Sequence, residues 1–307
     1  MGKTATTIEE QIETLRNRGM TIPDEAKAKE HLLDIGYYRL GFYWYYFEID
    51  KTHNFAPNTN LDDVIDLYYL DIDLKNILLK YIYRIEVHFR TQLIYYASNF
   101  YTNTPDWYLN KRIVHKNVVT QIHKSYEVLK FKNNIIKKHH LKYTDDQYAP
   151  AWKTMEFLTF GQVLKIYSNL KKEQLKSNIA LTYKLRDYNT LINYLTAILN
   201  IRNICSHSNV LFDYNQPKGI TRIPNKRFRI QSRNTTNLNA SLNLILFILS
   251  QISINRADEL EQLFYQKVNE KQQNAMLNPI IQDHIKLDFT KNVIPLYNKS
   301  APLYILL

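Results

Sequence analysis

The sequence predicts an all-α protein. Three observations carry that expectation. Apolar residues recur at three- and four-residue spacing along most of the chain, strand-like runs are scarce, and only 6 Gly and 9 Pro interrupt 307 residues. In order, residues 7–18 place Ile8, Ile12 and Leu15 on one face, and Gly19 follows as a stop. Pro23-Asp24 opens a second helix with Ala26, Ala28, Leu32 and Leu33, which runs into the aromatic stretch IGYYRLGFYWYYFE (35–48). Residues 54–60, with Pro57 inside, read as a loop. Leu67, Leu70, Leu74, Ile77, Leu78 and Ile82 predict a long helix over 61–100, with room for a break.

Pro105 and Pro150 punctuate the middle third, and Leu158, Val163, Leu164, Ile166 and Tyr167 mark a further helix. Another spans 188–207. Pro217, Gly219 and Pro224 break the pattern over 213–236, an irregular excursion or a short hairpin. Helical spacing returns at 242–254 and 260–268. The chain thus divides into an N-terminal helical region (1–60), a helical core (61–212), a basic excursion (213–236) and a C-terminal helical region (237–307) expected to pack on the core.

With 45% hydrophobic residues the chain can build a core, which excludes wholesale disorder. The single cysteine, Cys205, excludes an internal disulfide and a cysteine-based zinc site. The first twenty residues hold no apolar leader, and the longest apolar run, 244–249, falls far short of the ~20 residues that span a bilayer. A soluble cytoplasmic protein without membrane contact is the expectation. A formal charge of +11 and 24 tyrosines lean toward polyanionic partners.

Most catalytic signatures are missing: no phosphate-cradling glycine motif, no HExxH, no GxSxG. His139-His140 is the one adjacent histidine pair, but neighbours on a helix point ~100° apart and cannot share a metal comfortably. No metal and no cofactor are expected. The pair sits among Lys130, Lys132, Lys137, Lys138 and Lys142, with no acid between Val128 and Thr144, so a basic solvated face touching RNA is the preferred reading.

The informative stretch is LNIRNICSHSNVLF (199–212). Arg202 falls on the stripe of Leu191, Leu195 and Ile198, and a guanidinium buried there without partners would be costly. It needs an anion, a partner subunit or a cleft. Asn193, Thr196, Asn200, Asn203 and His207 form a polar stripe on another face. Asn203, one turn before His207, is placed to orient its imidazole. Arg202 and His207 stand ~140° apart on an ideal helix, so they flank one cleft only if the helix ends there or a second subunit contributes. Cys205 lies roughly opposite His207, which makes a cysteine–histidine nucleophilic dyad geometrically poor. The plain alternative is a snorkelling or salt-bridged Arg202 and a helix-end His207.

Arg202-Asn203-Ile204-Cys205-Ser206-His207 resembles the R-x4-6-H motif of HEPN domains. IGYYRLGFYWYYF (35–47), RIEVHFRTQL (84–93) and APAWKTMEFLTFGQVLKIYSNL (149–170) resemble, in the same order, segments of the Abi family of bacterial abortive-infection proteins. The resemblance covers about residues 8–215 and leaves the tail after Tyr214 without a match. It implies a HEPN-like helical bundle, a role in phage defence, and metal-independent RNA cleavage by a toxin-like protein under restraint. Some members are encoded beside structured noncoding RNAs, so a bound RNA of that kind is a second implied partner. HEPN ribonucleases commonly unite two motifs in one site. Arg84 and His88 are one residue short of the pattern, so a homodimer is the simpler route to a second motif.

In that setting the 2′-hydroxyl of RNA supplies the nucleophile. His207 would take its proton or protonate the leaving 5′-oxygen, Arg202 would hold the scissile phosphate, and Asn203 would orient the histidine. The products would be a 2′,3′-cyclic phosphate and a 5′-hydroxyl. Glu86 and Arg90, four apart, form either an intrahelical ion pair or a support reaching Arg202 from a neighbouring helix. The aromatic block 37–47, with Phe42 to Tyr46 consecutive, reads as a packing seam before a base-stacking platform; Trp152, Phe157 and Phe160 read as core. Lys218, Arg222, Lys226, Arg227, Arg229 and Arg233 occur with no acid between Tyr214 and Asp258, and together with Lys132, Lys137 and Lys138 are the expected RNA-backbone contacts.

Overall fold

A 40-residue helix, α4 (Leu61–Phe100), is the axis on which the chain is assembled. The computed structural model describes residues 4–49, 51–207 and 209–287. Among these it contains thirteen α-helices and no sheet, only isolated bridges such as Asn215 to Asn237. Three helices precede α4: α1 (Ile8–Asn17), α2 (Glu25–Asp34) and α3 (Tyr37–Trp44). Behind it come α5 (Lys116–Lys132), α6 (Asn134–Lys142), the single-turn α7 (Ala151–Thr154), α8 (Phe160–Ser168), α9 (Glu173–Leu181) and α10 (Tyr188–Ser206). After the excursion follow α11 (Leu238–Ile252), α12 (Ile254–Gln272), α13 (Leu277–Ile280) and a π-helical turn, Ile281–Ile285.

Helix α4 runs unbroken because no Gly or Pro falls within it. Asn60 caps it by accepting the Asp62 N–H, and Asp62 and Asp63 favour its positive end. At ~1.5 Å per residue it is about 60 Å long. Leu67, Leu70, Leu74, Leu78, Ile82, Ile85, Phe89 and Leu93 repeat every three or four residues and are all buried. Against this stripe pack α3, α8, α9, α10, α11 and α12.

Helix α11 is buried on every side from Ala240 to Leu249, as its continuous apolar run requires. It joins α10, α4 and α12. No helix among the described residues is long and apolar enough to cross a membrane.

Three details differ from the sequence reading. The second helix does not run into the aromatic stretch: Gly36, at φ +94°, turns the chain between α2 and α3 in a conformation that suits only glycine well. Leu33 then faces solvent, 74% exposed. Trp152 is half exposed rather than core, because α7 is too short to bury a second face after Ala151 and Thr154 have been covered. The aromatic block splits: Tyr43, Trp44 and Phe47 are buried, whereas Tyr38, Phe42 and Tyr45, on the opposite face of α3 and its extension, are exposed.

Candidate functional site

Helix α10 starts at Asp187, whose carboxylate accepts the Asn189 and Thr190 N–H groups at 3.0 Å each. Leu191, Leu195 and Ile198 are buried, and Arg202, next on their stripe, is half-buried. Its guanidinium reaches Asn203 Oδ1 at 3.5 Å and forms no ion pair among the described residues. The helix ends at Ser206, whose hydroxyl donates to the Arg202 carbonyl at 2.8 Å. His207 is the C-cap in extended conformation, φ −118° and ψ 178°, with its side chain exposed. Since the helix stops before it, the 140° separation of an ideal helix does not bind His207 relative to Arg202.

Asn203 meets His207 through the backbone: its carbonyl accepts the His207 N–H at 3.1 Å, while its side chain faces Arg202. Asn193 and Asn200 of the polar stripe have another use, while Thr196 bonds the Ile192 carbonyl of its own helix. Asn193 donates to the Gly219 carbonyl at 3.1 Å and accepts from the Thr221 N–H at 2.9 Å. Asn200 donates to Gln216 Oε1 at 3.1 Å. Buried Gln216 donates in turn to the Ala197 carbonyl at 3.0 Å and to Ser241 Oγ at 3.1 Å, and the Tyr194 hydroxyl donates to the Arg222 carbonyl at 2.8 Å. Asn193 and Asn200, with Tyr194, therefore form the seam that fastens the excursion to α10. Asn203 and His207, at its far end, are left out of that seam.

Beneath the helix end lies a pair that sequence reasoning missed. Asp71 and Lys75, successive turns of α4, form an ion pair 0% and 4% exposed. Asp71 accepts the Tyr43 hydroxyl and the Leu211 N–H, each at 2.8 Å, and Lys75 donates to the Asn209 carbonyl. Asn209 and Leu211 are thus held from α4, with Tyr43 of α3 bonded to the same carboxylate. Cys205 is buried close to this pair, and burial pushes its thiol up to about 12. At neutral pH it carries its proton and offers no nucleophile.

Glu86 and Arg90 form the intrahelical pair at 2.9 Å. Arg90 is turned toward the loop before α8, donating to the Leu158 carbonyl at 3.1 Å with Glu156 at 3.9 Å. Eleven residues, about 16 Å of helix, separate Glu86 from Lys75, where α4 meets the end of α10. No bond links either residue to Arg202 among the described residues. His88 contacts the Tyr183 hydroxyl at 2.9 Å, and burial, with the Arg84 charge, lowers its pKa, so it stays neutral inside the packing.

Of the excursion's cations, Lys218, Arg222, Lys226, Arg229 and Arg233 are exposed without ion pairs among the described residues. Arg227 is different: it binds Asp258 at 2.7 Å and Glu261 at 2.6 Å on α12. The acid-free tract is acid-free in sequence only. Lys132, Lys137 and Lys138 are exposed, but the adjacent histidines are not a solvated face. His139 is buried beside Asp146 at 3.1 Å, and His140 meets the Tyr126 hydroxyl at 2.7 Å. Burial lowers both imidazole pKa values. Among the described residues no group of three or more His, Cys, Asp or Glu side chains is placed to hold a metal ion.

The family whose members are described as Abi-like proteins matches residues 30–213, from α2 to just past His207. No curated protein and no solved structure matches the chain.

Proposed function

The chain belongs to the family of Abi-like proteins, which places it in abortive infection, and we propose that within this phage defence it is a metal-independent endoribonuclease. The observation that carries the reading is the end of α10. A half-buried arginine without a carboxylate partner among the described residues stands five residues before an exposed histidine, which lies two residues short of the anchored Asn209. An arginine left without an acid in a mixed-charge protein is free to take an external anion, and a phosphodiester offers the two oxygens its planar fork matches.

The chemistry needs little more. The RNA 2′-hydroxyl attacks the adjacent phosphorus. His207 takes the hydroxyl proton, or in the second copy of a homodimer protonates the departing 5′-oxygen. Arg202 holds the non-bridging oxygens as charge grows on them. The P–O5′ bond breaks, leaving a 2′,3′-cyclic phosphate and a 5′-hydroxyl. Asn203 Oδ1, at 3.5 Å from the guanidinium, would position Arg202 rather than the imidazole.

The strip Lys218, Arg222, Lys226, Arg229 and Arg233 would hold the RNA backbone, since it is docked on the same helix that carries Arg202. That strip also favours a second reading, in which the HEPN-like fold binds a dedicated structured RNA without turnover. Purified protein and its His207→Ala variant, incubated with total RNA in EDTA, separate the two: cleavage lost in the variant supports the enzyme, and RNA retention with no cleavage by either supports the binding module.

A further inference from the structure

The elbow between α5 and α6 carries a surface that the proposed RNA chemistry does not use. Asn133 ends α5 and caps α6, its side chain accepting the Ile135 and Ile136 N–H groups at 2.9 and 3.2 Å. The inner face of α6 is fixed by buried Ile136, by His139 beside Asp146 and by His140 on Tyr126, whose hydroxyl also accepts the Ala149 N–H. The outer face is therefore preformed. It exposes Phe131 (76%), Ile135 (53%) and Leu141 (80%), three large apolar side chains on one short elbow. Around them stand Lys130, Lys132, Lys137, Lys138 and Lys142, all exposed and none in an ion pair among the described residues. Lys137 lies 5.6 Å from the Phe131 ring, which sets the lysine of α6 beside the last turn of α5.

We infer that this elbow is a docking surface for anionic phospholipid. Each part of the surface has a use there: the apolar side chains enter the acyl boundary while the lysine stems run alongside and their ammonium groups meet the phosphates. An RNA partner would use the charge and at most Phe131, leaving Ile135 and Leu141 in water. The tract is all lysine, with no arginine from 116 to 149, whereas the strip docked on α10 includes Arg222, Arg229 and Arg233. A second copy of the chain would set five lysines against five. The inference stands apart from the proposed ribonuclease and assigns Lys132, Lys137 and Lys138 to lipid rather than RNA. The attachment is to a surface; no helix among the described residues is long and apolar enough to cross a membrane.

The test uses the full chain, freed of nucleic acid by nuclease and high salt, floated with vesicles of phosphatidylglycerol and phosphatidylcholine in equal parts, and with phosphatidylcholine alone. The wild type should float with the first and not the second. Phe131→Glu/Leu141→Glu and Lys137→Gln/Lys138→Gln, all at exposed positions, should each lower vesicle affinity at least about tenfold with unchanged circular dichroism. Absence of flotation overturns the inference, as does flotation indifferent to the apolar double variant. A lysine variant that loses RNA retention while the apolar variant loses nothing assigns the face to RNA and overturns it too. So does concentration-dependent dimerisation abolished by the apolar variant without vesicle binding.

Discussion

Asp71 and Lys75 form a buried ion pair, and each member sends one bond to the chain just past His207, Asp71 to the Leu211 N–H and Lys75 to the Asn209 carbonyl. Removing one member leaves the other charged, buried and unpaired, a change that costs ~3–5 kcal/mol. Asp71→Asn and Lys75→Met should each lower unfolding free energy by about that amount in chemical denaturation. Asp71→Leu/Lys75→Met should recover part of the loss. Equal stability of wild type and Asp71→Asn would mean that the pair does not hold the segment.

Gln216 is the clasp of the excursion, with four hydrogen bonds of 3.0–3.1 Å to Ala197, Ser241, Asn200 and Tyr214. Gln216→Ala strands those groups, and each buried polar group left unpaired costs about 1–3 kcal/mol. Hydrogen exchange should rise across 213–236 while amides in α4 keep their protection. Uniform loss of protection would place the excursion inside the cooperative core.

How much of the molecule is legible in its sequence is clearest at α4 and α10. The apolar spacing of α4 and the span of α10 can be read directly, because each is long enough for a stripe to stand out against chance. Arg202 stands out as a charge in line with apolar residues. The same criterion fits Asp71, four residues after Leu67 and three before Leu74, and would have found the buried pair. The Arg227 contacts are hidden because their acids come from α12, 31 and 34 residues onward. The faces of the 37–47 block are hidden for another reason: when nearly every residue is aromatic, no contrast between polar and apolar marks the buried side.

Arg227 and its neighbours should separate in salt titrations. Arg227→Ala breaks partly exposed ion pairs to Asp258 and Glu261, and should cost at most ~1 kcal/mol of stability. Lys218→Gln/Arg222→Gln/Arg229→Gln should flatten the slope of log affinity against log salt by about 0.7 for each phosphate no longer neutralised. If the triple variant keeps the wild-type slope in filter binding, the excursion does not touch the RNA backbone.

Alkaline pH should unfold the protein through its buried phenols and thiol. Burial raises the pKa of Tyr43, Tyr108, Tyr167 and Tyr183 above the ordinary phenol range, and pushes Tyr214 and Cys205 up to about 12. The unfolded chain therefore releases these protons first. The stabilisation is complete below the unfolded values, ~8.5 for the thiol and ~10 for the phenols, and is lost as pH rises past them toward the folded ones. Phenolate absorbance should show a late, cooperative step coincident with loss of helical circular dichroism. Smooth titration of every tyrosine with the helices intact would contradict the burial.

In the proposed mechanism, proton transfer during RNA cleavage falls to His207, exposed at the end of α10. The most direct measurement is cleavage of single-stranded RNA in EDTA by the wild type and by His207→Ala, with the product ends identified. Because the side chain is exposed, the variant should keep its stability within ~0.5 kcal/mol. The wild type should leave 2′,3′-cyclic phosphate and 5′-hydroxyl ends, and the variant should not cleave. Undiminished cleavage by folded His207→Ala protein would contradict that role of His207.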